Sequence, residues 1–181
     1  MELVDGIRDR RSVRRFQNRK IDREDIGKIV EVARFAPSWK NTQISKYIFV
    51  DDAEKKQQLA SEKCMYGFKY NIKTIENAPA VVILIYEEGK SGFEKDGSFS
   101  TPKEDRWQMF DAGIAAQTFC LVAYDNGLGT VIMGYFDEEE IKKVIEIPAG
   151  FQIGAIIPIG YPEGETKAPA RKSADELVTY I

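Results

Sequence analysis

The chain contains no histidine among its 181 residues. Histidine is the usual general base near neutral pH, so its absence excludes Ser-His-Asp and Cys-His nucleophilic schemes. Zinc sites built on histidine, including those of metalloprotease helices, are excluded for the same reason. If the protein is an enzyme, an imported cofactor therefore carries the chemistry.

Cysteines and long apolar runs are also scarce. The two cysteines, Cys64 and Cys120, stand far apart without metal-ligand spacing, so no metal site is expected. No apolar run is long enough to span a bilayer, and residues 1–5 lack the basic start and apolar stretch of a signal peptide. The sequence therefore predicts a cytoplasmic protein without a membrane partner.

Glycine motifs for nucleotide binding are missing as well, since neither Gly-x-Gly-x-x-Gly nor a Walker-type loop occurs. Apolar periodicity predicts helices at 2–9, 22–36, 51–65, 68–76 and 103–125 and strands at 46–50, 80–86, 130–133 and 152–161. The sequence Gly-Leu-Gly at 127–129 is expected to end the last of these helices, and the acidic residues 137–140 predict the start of a further helix. The irregular order of these elements favours an α+β fold with a mixed, mainly antiparallel sheet flanked by helices. At this length a single domain, residues 1–181, is expected.

Three segments do not fit an ordinary core. Residues 114–124 are apolar on nearly every side, so this part of a helix is deeply buried or shared with another chain. Residues 87–102 are polar and glycine-rich, which predicts a mobile loop. Residues 162–172 are extended and too polar to form their own core, so we expect them to lie against something else, such as a partner subunit.

Residues 10–16 contain four arginines and one serine, although the whole chain carries a net charge of -3. In an extended segment, alternate side chains share a face, so Arg10, Ser12 and Arg14 can converge on one small anion. The alternative is a solvated basic surface or an arm for nucleic acid. Because the rest of the chain has no sustained basic stripe, nucleic-acid binding is not expected.

Three further segments combine polar groups in short spans. Residues 36–43 offer amides, a hydroxyl and an indole, which suit the edge of a planar heterocycle or form a simple helix-to-strand connection. In residues 129–137, Gly134 lets backbone donors approach a ligand or forms a plain turn. Residues 168–172 contain two cationic side chains. These either complete an anion site or belong to a charged tail.

In this order, the four segments resemble the flavin-dependent nitroreductase family over nearly the whole chain. The resemblance depends on Arg-Arg-Ser-x-Arg at 10–14, Pro-Ser-x-x-Asn-x-Gln at 37–43, the turn at 134–137 and Pro-x-Arg-Lys at 169–172. It implies an intertwined homodimer whose core includes the helix at 106–124. The extension at 162–181 would pack on the partner and add a strand to its sheet, and two FMN molecules would lie at the interface.

The resemblance also implies three groups of flavin-binding residues. The phosphate and ribityl side would be held by Arg10, Arg11, Ser12, Arg14, Arg171 and Lys172, with Arg14 reaching the N1–O2 edge. The ring would be bordered from the other subunit by Pro37, Ser38, Lys40, Asn41 and Gln43. The N5 region would be bordered by Met133, Gly134 and Tyr135, with Asn71 as a further flavin contact.

The implied activity is hydride transfer from NAD(P)H through flavin N5 to nitroaromatic or quinone-type acceptors, in ping-pong order and without a catalytic side chain. Two alternatives stay open: another flavin redox reaction, such as dehalogenation, and a non-catalytic flavin store or sensor. Tyr135 stands where many relatives have glycine, and Trp39 and Lys40 replace smaller residues. These departures leave the acceptor and the choice between NADH and NADPH open.

Overall fold

A computed structural model describes residues 2–181 of the chain. The helices are α1 (Leu3–Asp9), α2 (Arg23–Ala33), α3 (Ala53–Leu59), α4 (Lys69–Asn77), α5 (Arg106–Asp125) and α6 (Glu138–Val144). The strands are β1 (Ser45–Val50), β2 (Ala80–Glu87), β3 (Gly129–Thr130) and β4 (Phe151–Gly160). Among these residues no helix is both long and apolar enough to cross a membrane.

The four strands form one sheet in the order β1-β2-β4-β3, and each neighbouring pair is antiparallel. A parallel bridge between Ser12 and Thr130 places residues 10–16, the arginine segment, next to β3. The sheet is therefore mixed and mainly antiparallel, and the predicted α+β class is confirmed.

Strand β2 is the centre of the core, because helices cover both faces of the sheet. Val82 and Leu84 point to a cluster that includes α2 and α5. Val81 and Ile83 point to the opposite cluster, which includes α3, α4 and α6. All residues from 80 to 86 are buried, as the unbroken apolar run predicts for a strand covered on both faces.

Helix α5 is covered by its own chain on one side only. Ala116, Phe119 and Ala123 are buried against the sheet, whereas Met109 and Phe110 are 50% and 58% exposed. The helix ends at Gly127 in a Schellman motif, in which Leu128 N–H donates to Ala123 O over 2.9 Å and Gly127 has a φ of 75°. The glycine end of the helix was therefore predicted correctly.

Several predicted boundaries were wrong for local reasons. Helix α2 ends at Ala33, three residues earlier than predicted, because the following N–H groups bond three residues back and tighten the turn. The predicted helix 51–65 ends at Leu59, since Ser61 Oγ accepts from Cys64 N–H and starts a new turn. The predicted strand 130–133 is reduced to β3 and a single bridge at Met133.

Gly129 allows the arginine segment to approach β3. A Cβ at this position would lie 2.7 Å from Val13 Cβ, whereas a Cβ at Gly27, inside α2, would meet nothing within 4 Å. We expect Gly129→Ala to lower the free energy of unfolding by about 1–3 kcal/mol through overpacking. Gly27→Ala, the control, should raise it by about 0.5–1 kcal/mol. Urea unfolding measures both, and equal stability of Gly129→Ala and wild type would contradict the close contact.

Candidate functional site

Backbone hydrogen bonds on both sides hold the arginine segment in an extended conformation. Val13 N–H donates to Thr130 O over 2.9 Å, and Glu163 N–H donates to Arg15 O over 3.0 Å. The side chains of Val13 and Phe16 are buried in the core. The beginning of the chain and the segment after β4 are therefore fixed next to each other.

Two arginines in this segment have buried nitrogen atoms without an acceptor. Within residues 2–181, Arg10 Nε and Arg14 Nε are shielded from solvent and make no hydrogen bond. A buried donor without a partner costs about 1–3 kcal/mol, and more when the group is charged. A ligand anion would supply the missing acceptors, and guanidinium groups match the geometry of phosphate.

The structure distributes the predicted phosphate-binding residues over two cavities. Arg14 lines a cavity of about 610 Å³. Arg10 and Arg11 line another of about 350 Å³, together with Arg171 from the other end of the chain. Lys172 is exposed and lines neither cavity. Both ends of one chain therefore contribute cations to the smaller cavity.

Helix α4 contributes residues to the larger cavity that the sequence motifs did not identify. Tyr70, Lys73 and Thr74 line this cavity with Ser12 and Arg14. The guanidinium carbon of Arg14 lies 5.0 Å from the centroid of the Tyr70 ring, in cation–π contact. Positions 70, 73 and 74 have the spacing of one helix face, which is the signal that could have found them.

The turn after β3 presents free backbone donors. Within the described residues, neither Gly134 N–H nor Tyr135 N–H has a hydrogen-bond partner, and both residues are exposed. Asn71 Nδ2 donates to Tyr135 O over 3.2 Å and ties the turn to α4. Met133 differs, because its N–H donates to Ile156 O over 2.8 Å and its side chain is buried. Gly134 and Tyr135 can therefore donate to a ligand, whereas the Met133 N–H is already used.

Four aromatic rings cluster beside this turn. The Tyr135 ring centroid lies 5.2 Å from that of Tyr66 and 5.8 Å from that of Phe68. The Phe68 centroid lies 6.2 Å from that of Tyr70. About half of each side chain is exposed. The cluster offers an apolar surface on which a flat molecule could stack.

The segment 37–43 lies apart from the arginines of the same chain. Pro37, Ser38 and Gln43 line a third cavity, of about 320 Å³, which no arginine of the N-terminal segment lines. Lys40 and Asn41 are exposed in a short 3-10 turn. The structure of one chain therefore does not bring this segment to the predicted phosphate site.

Neither cysteine is placed for thiol chemistry. Cys64 is 2% exposed and Cys120 is fully buried, and burial raises the pKa of both thiols. Within residues 2–181, no group of three or more Cys, Asp or Glu side chains is arranged to hold a metal ion.

Comparison with known proteins identifies the family. The sequence model of the Nitroreductase family matches residues 7–71 and 65–161, which together cover most of the chain. The chain belongs to the Nitroreductase family. It is 30% identical to a structurally characterised nitroreductase family protein from Clostridium novyi NT, with a TM-score of 0.76 and coverage of 90% of this chain and 86% of the other.

Two other nitroreductase relatives have names that specify a reaction. The chain is 26% identical to an FMN reductase [NAD(P)H] from Bacillus subtilis, over 99% of this chain and 75% of the relative. It is also 26% identical to an iodotyrosine deiodinase from Thermotoga neapolitana, over 89% of each chain. Relatives of this chain are therefore named for different reactions.

The burial of the thiols predicts their reactivity. Because burial raises their pKa, Cys64 and Cys120 each have a smaller thiolate fraction than a free thiol at the same pH. We expect an aromatic disulfide reagent at pH 8 to label neither cysteine in the folded protein and both after unfolding. Rapid labelling of one thiol in the folded protein would contradict the described burial.

Proposed function

We propose that this nitroreductase family member is an FMN-dependent enzyme that passes a hydride from NAD(P)H to a small-molecule acceptor. One observation carries the proposal: Arg10 Nε and Arg14 Nε are buried without acceptors in a segment where both chain ends meet. Family membership and the FMN reductase relative support it.

The residues of this region fit a phosphorylated flavin. Arg10, Arg11 and Arg171 would hold the phosphate, because the cavity that they line together with Arg8 carries the fixed positive charge of four arginines. Ser12 and Arg14 would hold the ribityl chain and the N1–O2 edge of the ring. Lys172 would add charge from the exposed tail.

Bound FMN supplies the two-electron chemistry by accepting a hydride from NAD(P)H and giving it to the acceptor. Arg14 would stabilise the negative charge that develops at the N1–O2 edge. Gly134 and Tyr135 would donate their free N–H groups near N5, with Asn71 fixing their turn. This arrangement needs no titrating base, which agrees with the absence of histidine.

Nitroaromatic and quinone-type molecules are the acceptors that we propose, entering after the oxidised nicotinamide has left. The half-exposed cluster of Tyr66, Phe68, Tyr70 and Tyr135 supports a flat aromatic acceptor. The deiodinase relative favours a second candidate, reductive dehalogenation of an aromatic halide. A non-catalytic flavin store is the third.

We also propose a homodimer with FMN at the interface. The outer side of α5 exposes Met109 and Phe110, and the tail exposes Leu177 and Tyr180 at 71% and 89%. Burying these side chains against a second chain removes apolar surface from water. In such a dimer the segment 37–43 of the partner would reach the flavin ring.

Anaerobic titration separates the proposed functions. The protein with bound FMN should lose its flavin absorbance on addition of NADH or NADPH and regain it on addition of a nitroaromatic or a quinone. Reoxidation only by a halogenated phenol would favour the dehalogenation candidate. Flavin that neither nicotinamide reduces would contradict the enzyme and favour the store.

Arg14→Ala tests the proposed contact with the ring. Loss of a charge-assisted hydrogen bond of about 1.5–3 kcal/mol should weaken FMN binding by roughly 10–150-fold and lower the flavin potential. Fluorescence titration and potentiometry measure the two effects. Arg23→Ala is the control, because Arg23 is exposed and pairs with Asp51 on the surface. If Arg14→Ala leaves the FMN affinity and the flavin potential unchanged, Arg14 does not contact the flavin.

Deletion of residues 162–181 tests the proposed role of the tail. The shortened chain should elute as a monomer in light-scattering chromatography and retain no FMN, because it lacks the exposed apolar tail and Arg171. Leu177→Asp alone should weaken the dimer while leaving Arg171 in place. A dimeric, yellow truncated protein would contradict the proposed packing.

A further inference from the structure

The segment 37–43 has a strained backbone that needs external support. Lys40, Asn41 and Gln43 have φ values of 45°, 57° and 52°, in the left-handed region that side chains other than glycine rarely adopt. Such residues persist only where surrounding contacts hold them, and they cluster at ligand-binding sites. The contacts that hold this segment therefore decide how it meets a ligand.

Asp111 provides the most buried of these contacts. This residue of α5 is 3% exposed, and its Oδ2 accepts from Trp39 N–H over 2.9 Å and from the fully buried Ser91 hydroxyl over 2.6 Å. Within residues 2–181 no ion pair includes Asp111. Burying a carboxylate without a cation costs free energy, and hydrogen bonds reduce that cost. Both hydrogen bonds to Asp111 are therefore needed in the folded protein.

The carboxylate thus joins three parts of the chain. Trp39 begins the strained turn, Ser91 belongs to the segment 87–102, and Asp111 lies on α5. The same three parts meet again where the Trp39 and Trp107 ring centroids lie 4.6 Å apart and where Lys40 Nζ lies 2.8 Å from Glu94 Oε1. The lysine–glutamate pair is exposed and worth little by itself, which leaves Asp111 as the principal anchor.

We propose that Asp111 is a positioning residue for flavin binding: by holding Trp39 N–H it fixes the segment 37–43 in the shape that borders the ring. This inference rests on the proposed function. Asp111 lines the same cavity as Pro37, Ser38 and Gln43, and the role assigned to it acts through the Trp39 N–H group. Helix α5 would then have two roles, because it would form the dimer core and also fix the shape of the segment 37–43.

Asp111→Ala tests the inference with two separate readouts. The chain has only two tryptophans, Trp39 and Trp107, so their coupled near-ultraviolet circular dichroism reports the position of the segment without flavin. We expect the coupled signal to disappear and FMN to bind at least about tenfold more weakly. The flavin reduction potential should also shift, which a change in overall stability would not cause.

Matched variants separate positioning from folding and from loss of charge. Asp105→Ala removes an exposed carboxylate at the start of the same helix, where it caps no N–H group, and should behave as wild type. Asp111→Asn keeps an acceptor oxygen and should recover most of the tryptophan signal and FMN affinity. If Asp111→Ala does not fold, Asp111→Ser, which is too short to reach Trp39, is used in the same way.

The outcomes distinguish this inference from the proposed function. A wild-type protein that does not bind FMN contradicts the proposed function, whatever the tryptophan signal shows. A wild type that binds FMN, with an Asp111→Ala variant of equal affinity and potential, contradicts the positioning role alone. An unchanged tryptophan signal in that variant would also overturn the inference, because the segment would then keep its place without the carboxylate.

Discussion

The pairing of the arginine segment with β3 is the constraint on which the site depends. One hydrogen bond from Val13 N–H to Thr130 O, next to a glycine that leaves room for Val13, places the segment at the edge of the sheet. The residues after β4 bond to its other side through Glu163. Without this pairing, cations from the two ends of the chain would not share a cavity.

Longer-range packing sets the rest of the site. Strand β2 is buried on both faces, so α5 is fixed against one face and α4 against the other. Helix α4 then brings Asn71 to the turn at Gly134 and Tyr135, while α5 brings Asp111 to the segment 37–43. In the proposed dimer these two parts of one chain would border different flavins, and the core of the chain, rather than a continuous loop, connects them.

The sequence predicted those features that depend on local pattern. The β-branched run of β2, the glycine end of α5 and the acidic start of α6 each follow from neighbouring residues. Asp111 was missed because it is an isolated acid in the interior of an apolar helix, and its partner Trp39 is 72 residues away. The split of the helix predicted at 51–65 was missed because it depends on one hydroxyl, that of Ser61.

The central claim is that arginines from both ends of the chain hold the phosphate of a flavin. Comparing the affinities of the wild-type protein for FMN and for riboflavin, which lacks the phosphate, tests it most directly. Two charge-assisted contacts predict that FMN binds at least about 100-fold more tightly, and that added salt narrows the difference. Equal affinity for the two flavins, at low and high salt, would contradict the account.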